Sequence, residues 1–252
     1  MKRRIEDQGF DGNQGGDKTM PGKMIDIEAP DGATFQGFLA VPDNGSGAGV
    51  IVLQEIFGIN YFMRETCHRL AAKGYMALCP DLFWRQQPGI ELSDMTEAEW
   101  GRAFALYQGF DMDQGVADAG AALEQLRSLE GCSGKVGAVG YCLGGMLAYL
   151  VAARTKADAS VGYYGVGIQD ALGEASNISG PHMMHIAELD QFVPPEAQSA
   201  IKDGLAGNAK VTIHSYADAD HAFARTGGEH FNTACTEQAN SRTAEFFAQN
   251  LA

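Results

Sequence analysis

Paired cysteines are missing from this sequence. Its five, Cys67, Cys79, Cys132, Cys142 and Cys235, are irregularly spaced, with no C-x-x-C among them. That pattern argues against a disulfide framework and a zinc site, and it predicts a reducing, cytoplasmic setting. Basic residues are also scarce: 18 Lys and Arg face 32 Asp and Glu, a formal charge of −14. Nucleic acid and anionic membranes both require clustered cations, so neither is an expected partner. No apolar run is long enough for a spanning helix. Lys2, Arg3 and Arg4 are followed by polar, glycine-rich residues rather than the apolar core of a signal peptide. Internal repeats are absent too.

What remains is the composition of an ordinary globular protein, 45% hydrophobic and 20% charged over 252 residues. Residues 1–22 carry four basic and four acidic side chains with many glycines and little to bury, so a disordered tail is expected there and a single domain over 23–252. Segments 23–27 and 34–41 flank Ala29-Pro30-Asp31-Gly32 and read as an antiparallel hairpin. Apolar strands are then predicted at 49–54, 75–79, 135–140, 159–164, 182–187 and 211–216. Helices are predicted at 60–72, 98–106, 113–129, 145–154, 194–205 and 233–250. This alternation predicts an α/β fold, a mostly parallel sheet with helices on both faces and the hairpin at its N-terminal edge. The stretch 81–111, rich in Gln, Trp and acidic residues, reads as a lid or pocket wall.

The strand at 135–140 runs into Gly140-Tyr141-Cys142-Leu143-Gly144-Gly145 and then a helix. A sharp strand-to-helix turn of this kind pushes its central residue out of the sheet, and flanking glycines let the backbone pack tightly around it. Cys142 could be a small buried hydrophobe, but this context makes it the candidate nucleophile. The Leu143 N–H, at the helix start, is a candidate oxyanion donor, and the helix dipole there favours a thiolate.

A thiol nucleophile needs a base, and the base needs an orienting partner. Catalytic groups of parallel sheets gather at the carboxyl ends of strands. Asp190 follows the strand at 182–187 and His221 follows the one at 211–216. Nucleophile, acid, histidine is the α/β-hydrolase order. The other histidines fit less well: His182, His185 and His214 fall at or within strands, His68 in a helix and His230 in a polar loop. Asp218 and Asp220 are expected to shape or solvate the loop of His221 rather than orient its ring.

Several motifs together resemble the dienelactone hydrolase family, the carboxymethylenebutenolidases. They are Gln54-Glu55-Ile56-Phe57-Gly58, Cys79-Pro80-Asp81-Leu82, the elbow itself, Val161-Gly162-Tyr163-Tyr164-Gly165, Asp190-Gln191-Phe192-Val193-Pro194 and His221-Ala222-Phe223-Ala224-Arg225. The similarity extends from about residue 23 to the C-terminus. It implies a cofactor-free and metal-free α/β-hydrolase with a Cys142–His221–Asp190 triad, a thioester acyl-enzyme and a small lactone or ester substrate of anionic character.

By the same resemblance Glu55 contacts the resting thiol and gates its deprotonation, where it would otherwise be a solvated carboxylate at a strand end. Arg225 grips the substrate carboxylate, where it would otherwise be a surface ion-pair partner. Ile56 gives the second oxyanion N–H, and Tyr164 and Phe57 help position the substrate. A monomer suffices for such chemistry.

The lid departs from the family pattern. Where family members that hydrolyse dienelactone carry an Arg and, four residues on, a Tyr, this chain has Trp100 and Phe104, with Arg102 and Tyr107 as nearby substitutes. A charged hydrogen bond is worth about 1.5–3 kcal/mol, so its loss weakens use of dienelactone roughly ten- to hundredfold. A carboxylesterase acting on a less polar ester is the same-fold alternative. A non-catalytic thiol redox sensor or binding protein is the alternative of a different class.

Overall fold

A computed structural model describes residues 22–252. The tail expected over 1–22 therefore lies, but for Gly22, outside the described residues. Eight strands form one sheet: β1 (Lys23–Glu28), β2 (Thr34–Ala40), β3 (Gly47–Leu53), β4 (Met76–Pro80), β5 (Cys132–Tyr141), β6 (Ser160–Tyr163), β7 (His182–Ala187) and β8 (Val211–Tyr216). Their order is β1-β2-β4-β3-β5-β6-β7-β8. The hairpin β1-β2 is antiparallel, as is the β2-β4 pair, and every pairing beyond β4 is parallel. The expected mostly parallel sheet with an antiparallel N-terminal edge is thus what the chain forms.

The central strands β3 and β4 are apolar throughout because both of their faces are covered. Along β3, Ile51 and Leu53 point into one core while Val50 and Val52 point into the other. The first core is roofed by α2 (Glu97–Gln108), α3 (Met112–Ser128), α4 (Leu143–Arg154) and α5 (Pro195–Leu205). The second is roofed by α1 (Tyr61–Ala72) and α6 (Thr233–Asn250). Side-chain oxygens cap α1, α2, α3 and α6: Asn60, Thr96, Asp111 and Asn232 each accept a first-turn backbone N–H. Among the described residues no helix is long and apolar enough to cross a membrane.

Several details differ from the sequence reading; β5, for one, begins at Cys132 rather than Lys135. Helix α4 starts at Leu143, directly after the turn, rather than at Gly145. Between β6 and β7 a 3₁₀ segment, Ile168–Asn177, supplies the crossover that two parallel neighbours require. Ile168, Ala171, Leu172 and Ala175 recur at helical spacing and pack on the core, a signal that the sequence reading passed over.

Candidate active site

Cys142 sits between β5 and α4 with φ 56° and ψ −114°, a conformation that L-residues seldom adopt. The chain can turn so tightly because of what surrounds it. A Cβ on Gly140 would lie 1.8 Å from the Gly144 carbonyl oxygen, and one on Gly144 would lie 2.1 Å from the Leu53 carbonyl oxygen. Cys142 N–H donates to the Tyr163 carbonyl at 3.1 Å, tying the turn to β6. Its carbonyl accepts from Gly145 and Met146 N–H at 2.9 and 3.2 Å, which starts α4. Leu143 N–H, in the first helical position, has no carbonyl one turn earlier to bond. Two other non-glycine residues with positive φ, Tyr164 and Ala222, follow β6 and precede the end of the His221 loop. Backbone strain is thus concentrated around one edge of the sheet.

At that same edge His221 and Asp190 meet, both buried. His221 Nδ1 lies 2.7 Å from Asp190 Oδ2, and the other carboxylate oxygen accepts the Phe192 N–H at 2.8 Å. Phe192 and the imidazole meet edge to face with centroids 4.8 Å apart. Burial works against a charged imidazole. The neighbouring Cys142 sulfur, and then the Asp190 carboxylate, outweigh it and push His221 up to about 10. The histidines within strands behave in the opposite sense. His182 bonds Ser160 at 2.7 Å and is lowered to about 4 by burial, and burial likewise lowers His185.

Glu55 is fully buried at the end of β3, but its carboxylate does not bond the thiol. Among the described residues its hydrogen bonds come from Arg225, Nε to Oε2 at 2.8 Å and Nη2 to Oε1 at 3.1 Å, and from the Tyr164 hydroxyl at 3.4 Å. Arg225 is buried as well, its guanidinium 4.9 Å from the Phe57 ring centroid. The remaining terminal nitrogen, Nη1, donates to Asp94 Oδ2 at 2.6 Å. Burial opposes the Arg225 charge, yet Glu55 above all, with Tyr164 and Asp94, raises it beyond its ordinary value. Tyr164 therefore lies behind the site and holds Glu55, whereas Phe57 faces the cavity.

The cavity itself is lined by Ile56, Phe57, Trp100, Phe104, Tyr107, Cys142, Val166, Phe192, His221 and Arg225, and measures about 40 Å³. Trp100 meets Phe57 edge-on at 5.0 Å and stacks on Phe104 at 5.4 Å. Of the two nearby substitutes in the lid, Tyr107 lines the cavity, while Arg102 is exposed and bonds Gln87. The loop carrying Glu55 and Ile56 is fixed from both sides. Gln54 Oε1 accepts the Leu82 N–H at 3.0 Å, and the Leu92 N–H donates to the Phe57 carbonyl at 2.9 Å. Gly58 has φ 76°, and a Cβ there would lie 1.9 Å from the Ile90 oxygen, so only glycine lets the lid cross here.

The sequence profile of the dienelactone hydrolase family matches residues 35–251. The chain belongs to that family. A protein of Azospirillum brasilense assigned as a carboxymethylenebutenolidase is 47% identical over 229 residues, which span 90% of this chain and 98% of that one. The carboxymethylenebutenolidase of Pseudomonas putida is 41% identical over 224 residues, 89% of this chain and 95% of that one. A crystal structure from Klebsiella pneumoniae, assigned as a dienelactone hydrolase, superposes with a TM-score of 0.79 at 26% identity, covering 91% of this chain and 99% of that one. Membership of the dienelactone hydrolase family makes the chain a hydrolase of ester or lactone bonds.

Sequence reasoning missed Asp94. It is one acid in an acidic stretch, and nothing local distinguishes it until the lid folds over Arg225. Gln54 and Gly58 were read as parts of a family motif, with no sign of their structural tasks.

Proposed function

We propose that this dienelactone hydrolase family member opens a lactone or ester by forming a thioester on Cys142, with His221 and Asp190 completing a triad. The observation that carries the reading is the buried 2.7 Å contact of His221 with Asp190 beside the strained cysteine, in one cavity with Cys142. A carbonyl seated there is attacked by the Cys142 sulfur, and the Leu143 and Ile56 N–H groups hold the oxyanion. As the tetrahedral adduct collapses the carbon–oxygen bond breaks, and His221 gives its proton to the leaving oxygen. A lactone keeps that hydroxyl on the acyl chain, whereas an ester releases an alcohol. Acylation converts the Cys142 sulfur to a neutral thioester and so removes the largest influence raising His221. The ring becomes a better base at the moment water must be deprotonated to attack the thioester. Water addition then frees the acid and restores the cysteine.

In this reading Glu55 anchors Arg225 rather than gating the thiol, and Tyr164 supports Glu55. A substrate carboxylate, the anionic character implied by the family resemblance, would have to compete for an Arg225 already bonded to two acids. The apolar cavity favours the second reading, a carboxylesterase of less polar substrates with the same catalytic groups. All these residues come from one chain, which supports action as a monomer. Five free cysteines are consistent with a cytoplasmic site of action.

Incubation with 4-nitrophenyl acetate followed by rapid quench and peptide mass spectrometry tests the mechanism. An acetyl adduct on Cys142 is expected, with loss of turnover in Cys142→Ala and His221→Ala. Unchanged turnover in both variants would remove the triad and leave the thiol as a redox or structural group.

A further inference from the structure

Arg225 stands on the wall between two spaces. It lines the apolar cavity with Cys142, and it also lines an outer groove of about 470 Å³ shared with Asn60, Arg64, Glu91, Ser93 and Asp94. Glu55 holds it through two hydrogen bonds, and Asp94 holds it through a third. Three of the five guanidinium N–H donors are therefore committed to carboxylates of this chain. Two acids face one cation, so the local sum is negative before any substrate arrives.

Asp94 is seated rather than merely nearby. The Trp100 indole N–H donates to its backbone carbonyl at 3.0 Å, fixing this part of the lid from the cavity side. Gly228 leaves room for the carboxylate, since a Cβ there would come within 3.2 Å of Asp94 Oδ2. The Gly228 N–H in turn donates to the Arg225 carbonyl at 3.0 Å, so the segment that makes the room is bonded to the arginine itself. Asp94 is a short side chain with few rotatable bonds, and its ion pair is 9% and 13% exposed on the two sides. Such a pair is held more firmly than one between long, solvated side chains.

Taking the hydrolase reading above as its basis, we propose that Asp94 is a specificity-determining residue that occupies the Arg225 guanidinium and thereby excludes carboxylate-bearing substrates, reserving the site for uncharged esters or lactones with an apolar acyl part. An incoming carboxylate meets two like charges and would have to displace a hydrogen-bonded acid that is only 13% exposed. A neutral acyl group meets Ile56, Phe57, Trp100, Phe104, Val166 and Phe192. The aromatic rim continues outwards, since Phe104 and Phe192 are both partly exposed at the mouth.

A matched pair of substrates tests this. Mono-4-nitrophenyl succinate and 4-nitrophenyl butyrate share a leaving group and acyl chain length, and differ in a terminal carboxylate against a methyl group. The wild-type protein is expected to favour the butyrate in kcat/KM by about tenfold or more, the value of one charged hydrogen bond. Asp94→Asn, nearly the same in shape, should raise the succinate-to-butyrate ratio by about tenfold, chiefly by lowering KM for the succinate. Adding Arg225→Met to Asp94→Asn should abolish that gain, because Asp94 acts through the arginine. A wild-type preference for the succinate would overturn the proposal, as would a ratio unmoved in both Asp94→Asn and Asp94→Ser. Should Asp94→Asn fail to fold, the wild-type ratio and the serine variant still decide. Cys142→Ala separates this idea from its basis: retained turnover there would refute the nucleophile, whereas an unmoved ratio refutes only Asp94.

Discussion

Glu55 and Arg225, 170 residues apart in the chain, are joined by two hydrogen bonds of 2.8 and 3.1 Å with both side chains buried. Removing one partner from a buried pair leaves an uncompensated charge and typically costs about 3–5 kcal/mol. Glu55→Gln should fall toward the lower end of that range, since Asp94 still bonds the guanidinium. Replacing both groups, as in Glu55→Leu with Arg225→Met, should cost less than the two single changes summed, because no charge is left stranded. Urea unfolding of the wild type, Glu55→Gln, the two single changes and the double variant measures this. A loss below about 1 kcal/mol in Glu55→Gln would put the pair in the class of weak surface contacts.

Cys142 and Asp190 together set the charge of His221. The ring is held up to about 10 against its own burial, with the sulfur the largest raising influence. In Cys142→Ala, NMR titration of His221 should therefore show a clear drop, while Asp190 still keeps the ring oriented. The same shift has a stability consequence. A histidine raised from its ordinary 6.5 to about 10 stabilises the fold fully below about 6.5, and that contribution is lost as pH rises through about 10. The wild type should thus lose more stability between pH 7 and 10 than His221→Gln does. Parallel melting curves across that range would contradict the assignment.

Gly144 is required by distance alone. Its absent Cβ would lie 2.1 Å from the Leu53 oxygen and 2.8 Å from the Gln54 oxygen, both backbone atoms that cannot swing aside. Gly144→Ala should either destabilise the protein by more than an ordinary helix substitution or move α4 off the sheet. Since alanine is the better helix former, the helix itself would be favoured by about 1 kcal/mol, and any net loss reports the clash. Gly101, in α2 with open space around it, is the control: Gly101→Ala should be neutral or stabilising by thermal melt.

The elbow could be read from sequence because its determinants are local. A strand, two glycines around a cysteine and a helix lie within a few residues, and the spacing follows from the sterics just described. The order of Cys142, Asp190 and His221 was legible for a related reason: each follows a strand, and parallel strands put their carboxyl ends on one edge. The Arg225 contacts were not legible. Asp94 lies 131 residues before the arginine, and an ion pair across that distance leaves no period or spacing. Glu55 was singled out, but its direction was not, because two cationic or polar neighbours compete for one carboxylate and only packing chooses. The start of α4 was missed by two residues because Gly144 and Gly145, poor helix formers, are there to allow close approach.

Phe104 sets the reach of the cavity. At about 40 Å³ the space beside Cys142 accommodates only a small acyl group unless aromatic side chains move, and Phe104 is stacked on Trp100 with a partly exposed outer face. Its neighbours Phe57 and Trp100 pack edge-on at 5.0 Å and are held by the core beneath. Along a series of 4-nitrophenyl esters from acetate to octanoate, kcat/KM of the wild type should peak at a short chain and fall beyond it. Phe104→Ala removes a ring from the cavity wall without touching the sulfur, the imidazole or the proposed oxyanion donors. Its optimum should move to longer chains, by one methylene or more, with a gain of about 1–3 kcal/mol per methylene as the measure of a well-fitted apolar pocket. A profile that keeps its peak in Phe104→Ala would mean that Phe104 swings clear on binding, and that Trp100 and Phe57 alone define the wall.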